Sequence, residues 1–144
     1  MNWKTETVAL LETQLDDITG QEVGYLLQLL LDKGALDAVC IPILMKKGRP
    51  GYLIQVLCLP RKRDFFCELL FDETSTLGVR YQNLKRNILP RREAKLKTPY
   101  GPIRAKAHSW KGKSEVVPEF DALMHLAKRA GRPLQVIRRD IKYK

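Results

Sequence analysis

The stretch Val8-Ala9-Leu10-Leu11-Glu12-Thr13-Gln14-Leu15-Asp16-Asp17-Ile18-Thr19-Gly20-Gln21-Glu22 decides how this chain begins to fold. Its first eight residues are a mostly apolar run that predicts a buried strand, and Asp16-Asp17-Ile18 turns out of it. Thr19 and Glu22 then match a capping box, in which the threonine hydroxyl takes a first-turn N–H and the carboxylate reaches back to the threonine N–H. Val23, Leu26, Leu27, Leu30 and Leu31 recur at helical spacing, and Gly34 after Lys33 is a C-terminal stop.

Working outward, residues 38–44 are short, apolar and β-branched, and residues 52–59 repeat that character. The seven residues between them, Met45-Lys46-Lys47-Gly48-Arg49-Pro50-Gly51, hold two glycines and a proline and read as a shaped hairpin loop. Residues 61–73 carry Phe65, Phe66, Leu69 and Leu70 on one helical face, ended by Thr74-Ser75-Thr76-Leu77-Gly78. Residues 79–89 read as a fourth strand with an irregularity near Asn83-Leu84. The order strand, helix, strand, strand, helix, strand is that of an α+β, ferredoxin-like β-α-β-β-α-β core over residues 1–90.

Past the polar hinge Arg91-Arg92, residues 94–98 and 103–108 flank Pro99-Tyr100-Gly101-Pro102 and predict a β-hairpin. Residues 119–130 and 134–141 predict two C-terminal helices. A hairpin with two helices is too little to stand alone, so residues 91–144 are expected to dock on the first sheet or on a neighbouring subunit.

The composition narrows the function classes. The 144 residues are 44% hydrophobic, enough to form a core without staples. The longest greasy run, around Leu26 to Leu31, is too short to cross a membrane, and the first six residues have no leader character. Cys40, Cys58 and Cys67 are an odd set without CxxC spacing, and His108 and His125 lie far apart. These facts argue for buried free thiols in a reducing, cytoplasmic setting and against a Cys/His zinc site. The net charge of +10 attracts polyanions without choosing among nucleic acid, membrane surface and phosphorylated small molecules. Its basic pairs scatter along the chain and no strand carries an RNA-binding aromatic pattern, so nucleic acid is an alternative rather than the favoured partner.

Several positions have chemical potential beside an ordinary structural reading. Asp16 and Asp17, between a strand and a helix N-terminus, can hold a hard cation or simply favour the helix dipole. Lys46, Lys47 and Arg49 can hold phosphate oxygens or decorate a solvated hairpin tip. Arg80, after a helix-to-strand turn, is either a phosphate contact or an exposed strand arginine. Lys106 and Arg104 share the polar face of their strand, and Glu119 opens a helix after Pro118. No Ser-His-Asp or Cys-His arrangement is supported.

Six motifs in fixed order carry a resemblance. They are Leu11 to Thr19, Gly34-Ala35-Leu36-Asp37, Pro42 to Gly51, Glu73 to Arg80, Thr98-Pro99-Tyr100-Gly101-Pro102 and Pro118-Glu119-Phe120. Together they resemble the C-terminal domain of the LarC family, the nickel-insertion proteins for the nickel-pincer nucleotide cofactor. The resemblance implies a CTP-dependent cyclometallase that uses CTP with Mn2+ or Mg2+ and takes Ni2+ as substrate. It implies insertion of nickel into a pyridinium bis-thiocarboxylate mononucleotide, with cleavage of CTP to CMP and pyrophosphate. The implied partners are further copies of the chain, as a homo-oligomer, and a histidine-rich N-terminal half of the same protein or a separate subunit. Under the resemblance Asp16, Asp17 and Glu119 bind the divalent metal, and Lys46, Lys47, Arg49, Arg80 and Lys106 hold the nucleotide. The chain departs from the family pattern at Gln14 and Gly48, where asparagine is usual, and at Val117, where lysine is usual.

Overall fold

The structure is a computed structural model that describes residues 3–141. The chain divides into two compact units, one of residues 5–86 and one running from residue 87 onward with Trp3 and Lys4.

The first unit contains strand β1 (Lys4–Leu15), helix α1 (Gly20–Asp32), β2 (Asp37–Met45), β3 (Arg49–Cys58), α2 (Arg63–Glu73) and β4 (Arg80–Ile88). The strands form one four-stranded sheet in the order β2-β3-β1-β4. β3 is antiparallel to both β1 and β2. β1 and β2 therefore run parallel with α1 as their crossover and β3 inserted between them, which is the ferredoxin-like arrangement. Ala9, Leu11 and Leu15 of β1 share a face with Ile54, Val56 and Cys58 of β3, as the pairing Leu11↔Val56 requires. Val23, Leu26 and Leu30 of α1 and Phe66 and Leu70 of α2 close over that face and complete a core with the strands. α1 starts as expected: the Thr19 N–H donates to Glu22 Oε2 (2.7 Å), and the Glu22 N–H donates to Thr19 Oγ1 (3.3 Å).

The second unit contains β5 (Arg91–Leu96), β6 (Ile103–Trp110), β7 (Lys113–Pro118), α3 (Phe120–Ala130) and α4 (Leu134–Asp140). Here β5, β6 and β7 make a three-stranded antiparallel sheet. Ile103, Ala105 and Ala107 are buried, and Ile103 joins Leu123, Leu126, Ile137 and Ile141 in a second core.

Three details differ from the sequence reading. The expected hairpin gains β7, whose Lys-Ser-Glu-Val-Val-Pro sequence has too little alternation to announce a strand. Its turn is legible in retrospect, since Lys111 and Gly112 both take positive φ (47° and 78°), the conformation that two-residue hairpin turns need. The loop over residues 45–51 tightens to Lys46-Lys47-Gly48, because Met45 already pairs with Arg49. β4 runs unbroken through Asn83 and Leu84.

Candidate functional site

In the first unit, the end of β1, the β2–β3 turn and the loop from α2 to β4 meet at one end of the sheet. The pairings Leu15↔Tyr52 and Met45↔Arg49 set the first two side by side. Gly51 makes this approach possible: a Cβ there would lie 2.6 Å from the Leu15 carbonyl oxygen and 2.6 Å from Met45 Sδ. The loop after α2 is tied in by the buried Thr13 hydroxyl, which donates to the Gly78 carbonyl (3.1 Å).

This junction collects six of the eight residues singled out from the sequence. Arg49 Nη1 donates to Asp16 Oδ2 at 3.1 Å. Asp17 Oδ1 accepts from Ser75 Oγ at 2.6 Å. Lys46 and Lys47 are exposed at the turn and form no ion pair among the described residues. Lys47 stands at φ 64°, ψ 19°, and Gly48 follows at φ 69°. A left-handed conformation at a non-glycine residue costs about 1–2 kcal/mol, so this turn is held by the pairing on either side of it. Arg80 Nε donates to Glu12 Oε2 at 2.9 Å, while Gln55 Nε2 donates to Glu12 Oε1 at 2.6 Å. The Gln55 amide first, and the Arg80 guanidinium second, hold the Glu12 carboxyl below the ordinary glutamate range.

The donor set can be tested against a metal-bound phosphate. No three His, Cys, Asp or Glu residues gather as a metal-binding group among the described residues. Asp16 and Asp17 offer two hard carboxylates, each with lone pairs left after its one hydrogen bond. That suits Mg2+ or Mn2+ held by one or two carboxylates with the remaining oxygens from phosphate and water. It does not suit a closed, all-protein metal cage. Burial pushes the Cys40, Cys58 and Cys67 thiols up, away from the thiolate form that a soft metal needs.

Sequence reasoning missed what surrounds Asp17. A cleft of about 440 Å³ is lined by Asp17, Glu22, Tyr25, Asp72, Glu73 and Ser75. Its acidic wall could not be read from the chain, because α1 and α2 come together only through the core.

The other two candidates, Lys106 and Glu119, belong to the second unit, where Lys106 Nζ pairs with Glu119 Oε1 at 3.2 Å. Both line a concavity of about 730 Å³ with Arg91, His108 and Phe120. Arg91, His108 and Glu115 stand directly across from one another on β5, β6 and β7. Among them only the placing of Arg104 and Lys106 on one strand face was legible, from alternation with the buried Ile103 and Ala105.

A protein family described as nickel insertion protein matches residues 1–138. A putative nickel insertion protein of Synechocystis is 45% identical over 137 residues, covering 92% of this chain and 32% of the relative. The pyridinium-3,5-bisthiocarboxylic acid mononucleotide nickel insertion protein of Staphylococcus epidermidis is 36% identical, covering 94% and 35%. The chain thus spans about one third of the length of these curated relatives. Among solved structures, LarC2 is similar at TM-score 0.87 and 34% identity over 95% of each chain. LarC2 is described as the C-terminal domain of a cyclometallase involved in the synthesis of the NPN cofactor of lactate racemase, in its apo form. A Methanopyrus kandleri protein shares the fold at TM-score 0.64 and 22% identity, covering 92% of this chain and 85% of that one.

Proposed function

The chain belongs to the nickel insertion protein family, and from that premise we propose that it is the domain that binds CTP with Mn2+ or Mg2+ during nickel insertion. The acceptor is a pyridinium bis-thiocarboxylate mononucleotide, and Ni2+ is a substrate. The observation that supports this reading most is the Arg49–Asp16 ion pair, which ties the basic Lys46-Lys47-Gly48 turn to the Asp16-Asp17 end of β1 at one end of the sheet.

Bound CTP supplies a phosphorus open to attack and a pyrophosphate leaving group. The chain's own residues hold and neutralise. Asp16 and Asp17 fix the divalent cation, and Lys46 and Lys47 place mobile positive charge on the triphosphate. Arg49, paired with Asp16 in this structure, has the planar fork that grips two phosphate oxygens. Cations preset around a leaving pyrophosphate stabilise the charge that develops on it. Arg80 is a second-rank phosphate contact because its Nε is held by Glu12, a carboxylate that Gln55 also fixes in place. Within the second unit Lys106 and Glu119, paired with each other, form a set of their own, assigned through the family resemblance to a nucleotide and to a metal or ribose. The rest of the reaction needs a histidine-rich N-terminal half, within the same protein or as a partner, and the domain works as a homo-oligomer in the cytoplasm.

Calorimetry with CTP, ATP and RNA, with and without Mn2+, tests the reading. Metal-dependent, CTP-selective binding is expected, weakened about tenfold or more in Lys46→Ala and Arg49→Ala at unchanged melting temperature, the loss of one charge-assisted contact. Wild-type affinity in both variants overturns the assignment. RNA binding with a steep salt dependence and no CTP binding overturns the function.

A further inference from the structure

The basic residues scatter along the sequence, but the fold sorts them. Residues 5–86 hold ten Lys and Arg against eleven Asp and Glu, whereas residues 87–144 hold fifteen against five. The positive excess of the chain therefore belongs to the second unit. In the first unit Arg49, Arg63, Arg80 and Arg86 each hold a carboxylate.

In the second unit the excess gathers on one face of the β5-β6-β7 sheet. The helices pack on the other face, where Ile103 joins Leu123, Leu126 and Ile137. Arg104, Lys106, His108 and Trp110 alternate with the buried Ile103, Ala105 and Ala107 and so share the open face. Register adds Lys95 and Arg91 from β5 and Lys113 from β7. All of these are exposed except the half-buried His108. Lys95 stands directly across from Arg104, and like charges so placed destabilise a sheet unless an anion lies over them. Glu119 and Glu115 are engaged elsewhere, with Lys106 at 3.2 Å and His108 at 3.5 Å. Glu93 lies across from Lys106. Among the described residues Arg91, Lys95, Arg104 and Lys113 form no ion pair.

The far end of this face is aromatic. Trp3 and Trp110 stack with centroids 5.8 Å apart and planes at 28°, yet they remain 36% and 39% exposed. The Lys111 ammonium lies 5.7 Å over the Trp110 ring, so the indole left for a further flat ring is that of Trp3. Arg104 and Trp110 are about 20 Å apart along β6, room for a few nucleotides of an extended strand.

We propose that this open sheet face docks a single strand of nucleic acid, with phosphates along Arg104, Lys95, Arg91 and Lys113 and a base on Trp3. Cations that track a backbone beside an aromatic platform are what such a strand requires. An acidic peptide would use the cations but brings no flat ring to Trp3. An anionic bilayer would need projecting aliphatic side chains, and this face offers Val117 alone. A duplex keeps its bases stacked on one another. The surface shares no residue with the Asp16–Arg49 junction, and the inference does not depend on the CTP reading.

Titration of the full chain into fluorescein-labelled decauridylate or decathymidylate, read by anisotropy, is expected to saturate with at least one strand. Log affinity should fall with log salt at a slope of about −3, for four phosphates neutralised. Lys95→Ala with Arg104→Ala should flatten that slope by about 1.4. Trp3→Ala should weaken binding about fivefold or more, and Trp3→Phe should restore most of it. Far-UV circular dichroism identical to wild type qualifies each variant. No saturation with either strand overturns the proposal, as does an unchanged slope in the double variant. Equally tight binding of a duplex of the same length, of decaglutamate or of phosphatidylglycerol vesicles overturns it too. Manganese-dependent CTP binding, measured on the same samples, should survive Lys95→Ala with Arg104→Ala. Lys46→Ala and Arg49→Ala should weaken CTP and keep the strand, so failure of either reading leaves the other standing.

Discussion

Glu12 accepts hydrogen bonds from Gln55 on the neighbouring strand and from Arg80 at the start of β4, and both favour its ionised form. The unfolded chain therefore binds this proton more tightly than the folded one. The stabilisation is complete above the ordinary glutamate pKa and is lost as pH falls through the lowered folded value. Because the Arg80 side chain is 55% exposed, the pair contributes no more than about 1 kcal/mol. Arg80→Ala should lower the melting temperature at neutral pH, and its gap from wild type should close as the pH falls below the ordinary glutamate range and through the lowered folded value. A gap that widens in acid would reverse the assigned sign. The same contact qualifies Arg80 as a ligand for phosphate. Its place after the helix-to-strand turn made it a candidate in the sequence, but nothing local could disclose a carboxylate partner 68 residues away.

At the scale of elements, two glycines act in opposite senses. Gly51 lies where β1 ends against the β2–β3 turn, and an added Cβ would meet backbone, which cannot swing aside. Gly51→Ala should cost about 1–3 kcal/mol in denaturant unfolding, the usual penalty of overpacking. It should also weaken CTP binding by displacing Arg49 from Asp16. A Gly51→Ala variant as stable as wild type would remove the steric reason given for the site's geometry. Gly24 lies inside α1 with nothing within 4 Å of an added Cβ. Gly24→Ala should stabilise by up to about 1 kcal/mol through helix propensity, read in the same unfolding experiment. The elements themselves were largely legible: α1 from its capping box and its 3.6-residue spacing, β2 and β3 from short apolar runs. β7 escaped because its pairing with β6, rather than its own pattern, makes it a strand.

At the scale of the whole molecule there are two hydrophobic cores, centred on Phe66 and on Ile137. Both side chains are fully buried. Phe66→Ala should cost about 3–5 kcal/mol, from lost transfer energy and the cavity left behind. It should appear as lost amide-exchange protection at Ile54 and Val56, which share that core. Unchanged protection there would mean that α2 does not hold the sheet. By itself the sequence determined the ferredoxin-like order of elements, the buried stripe Val23, Leu26 and Leu30 of α1, and the residue types from which a phosphate site could be made, while Phe65, placed with Phe66 on one helical face, is exposed. Those properties are local, written in spacings of two to four residues and in the residues that start and stop a helix. Only the tertiary structure decided that Arg49 meets Asp16 across 33 positions, that Ser75 holds Asp17, and that Arg91, His108 and Glu115 form one row beside Trp110. Strand register and the packing of helices on a sheet place these groups together, and both arise from the collapse of the chain as a whole rather than from any segment of it.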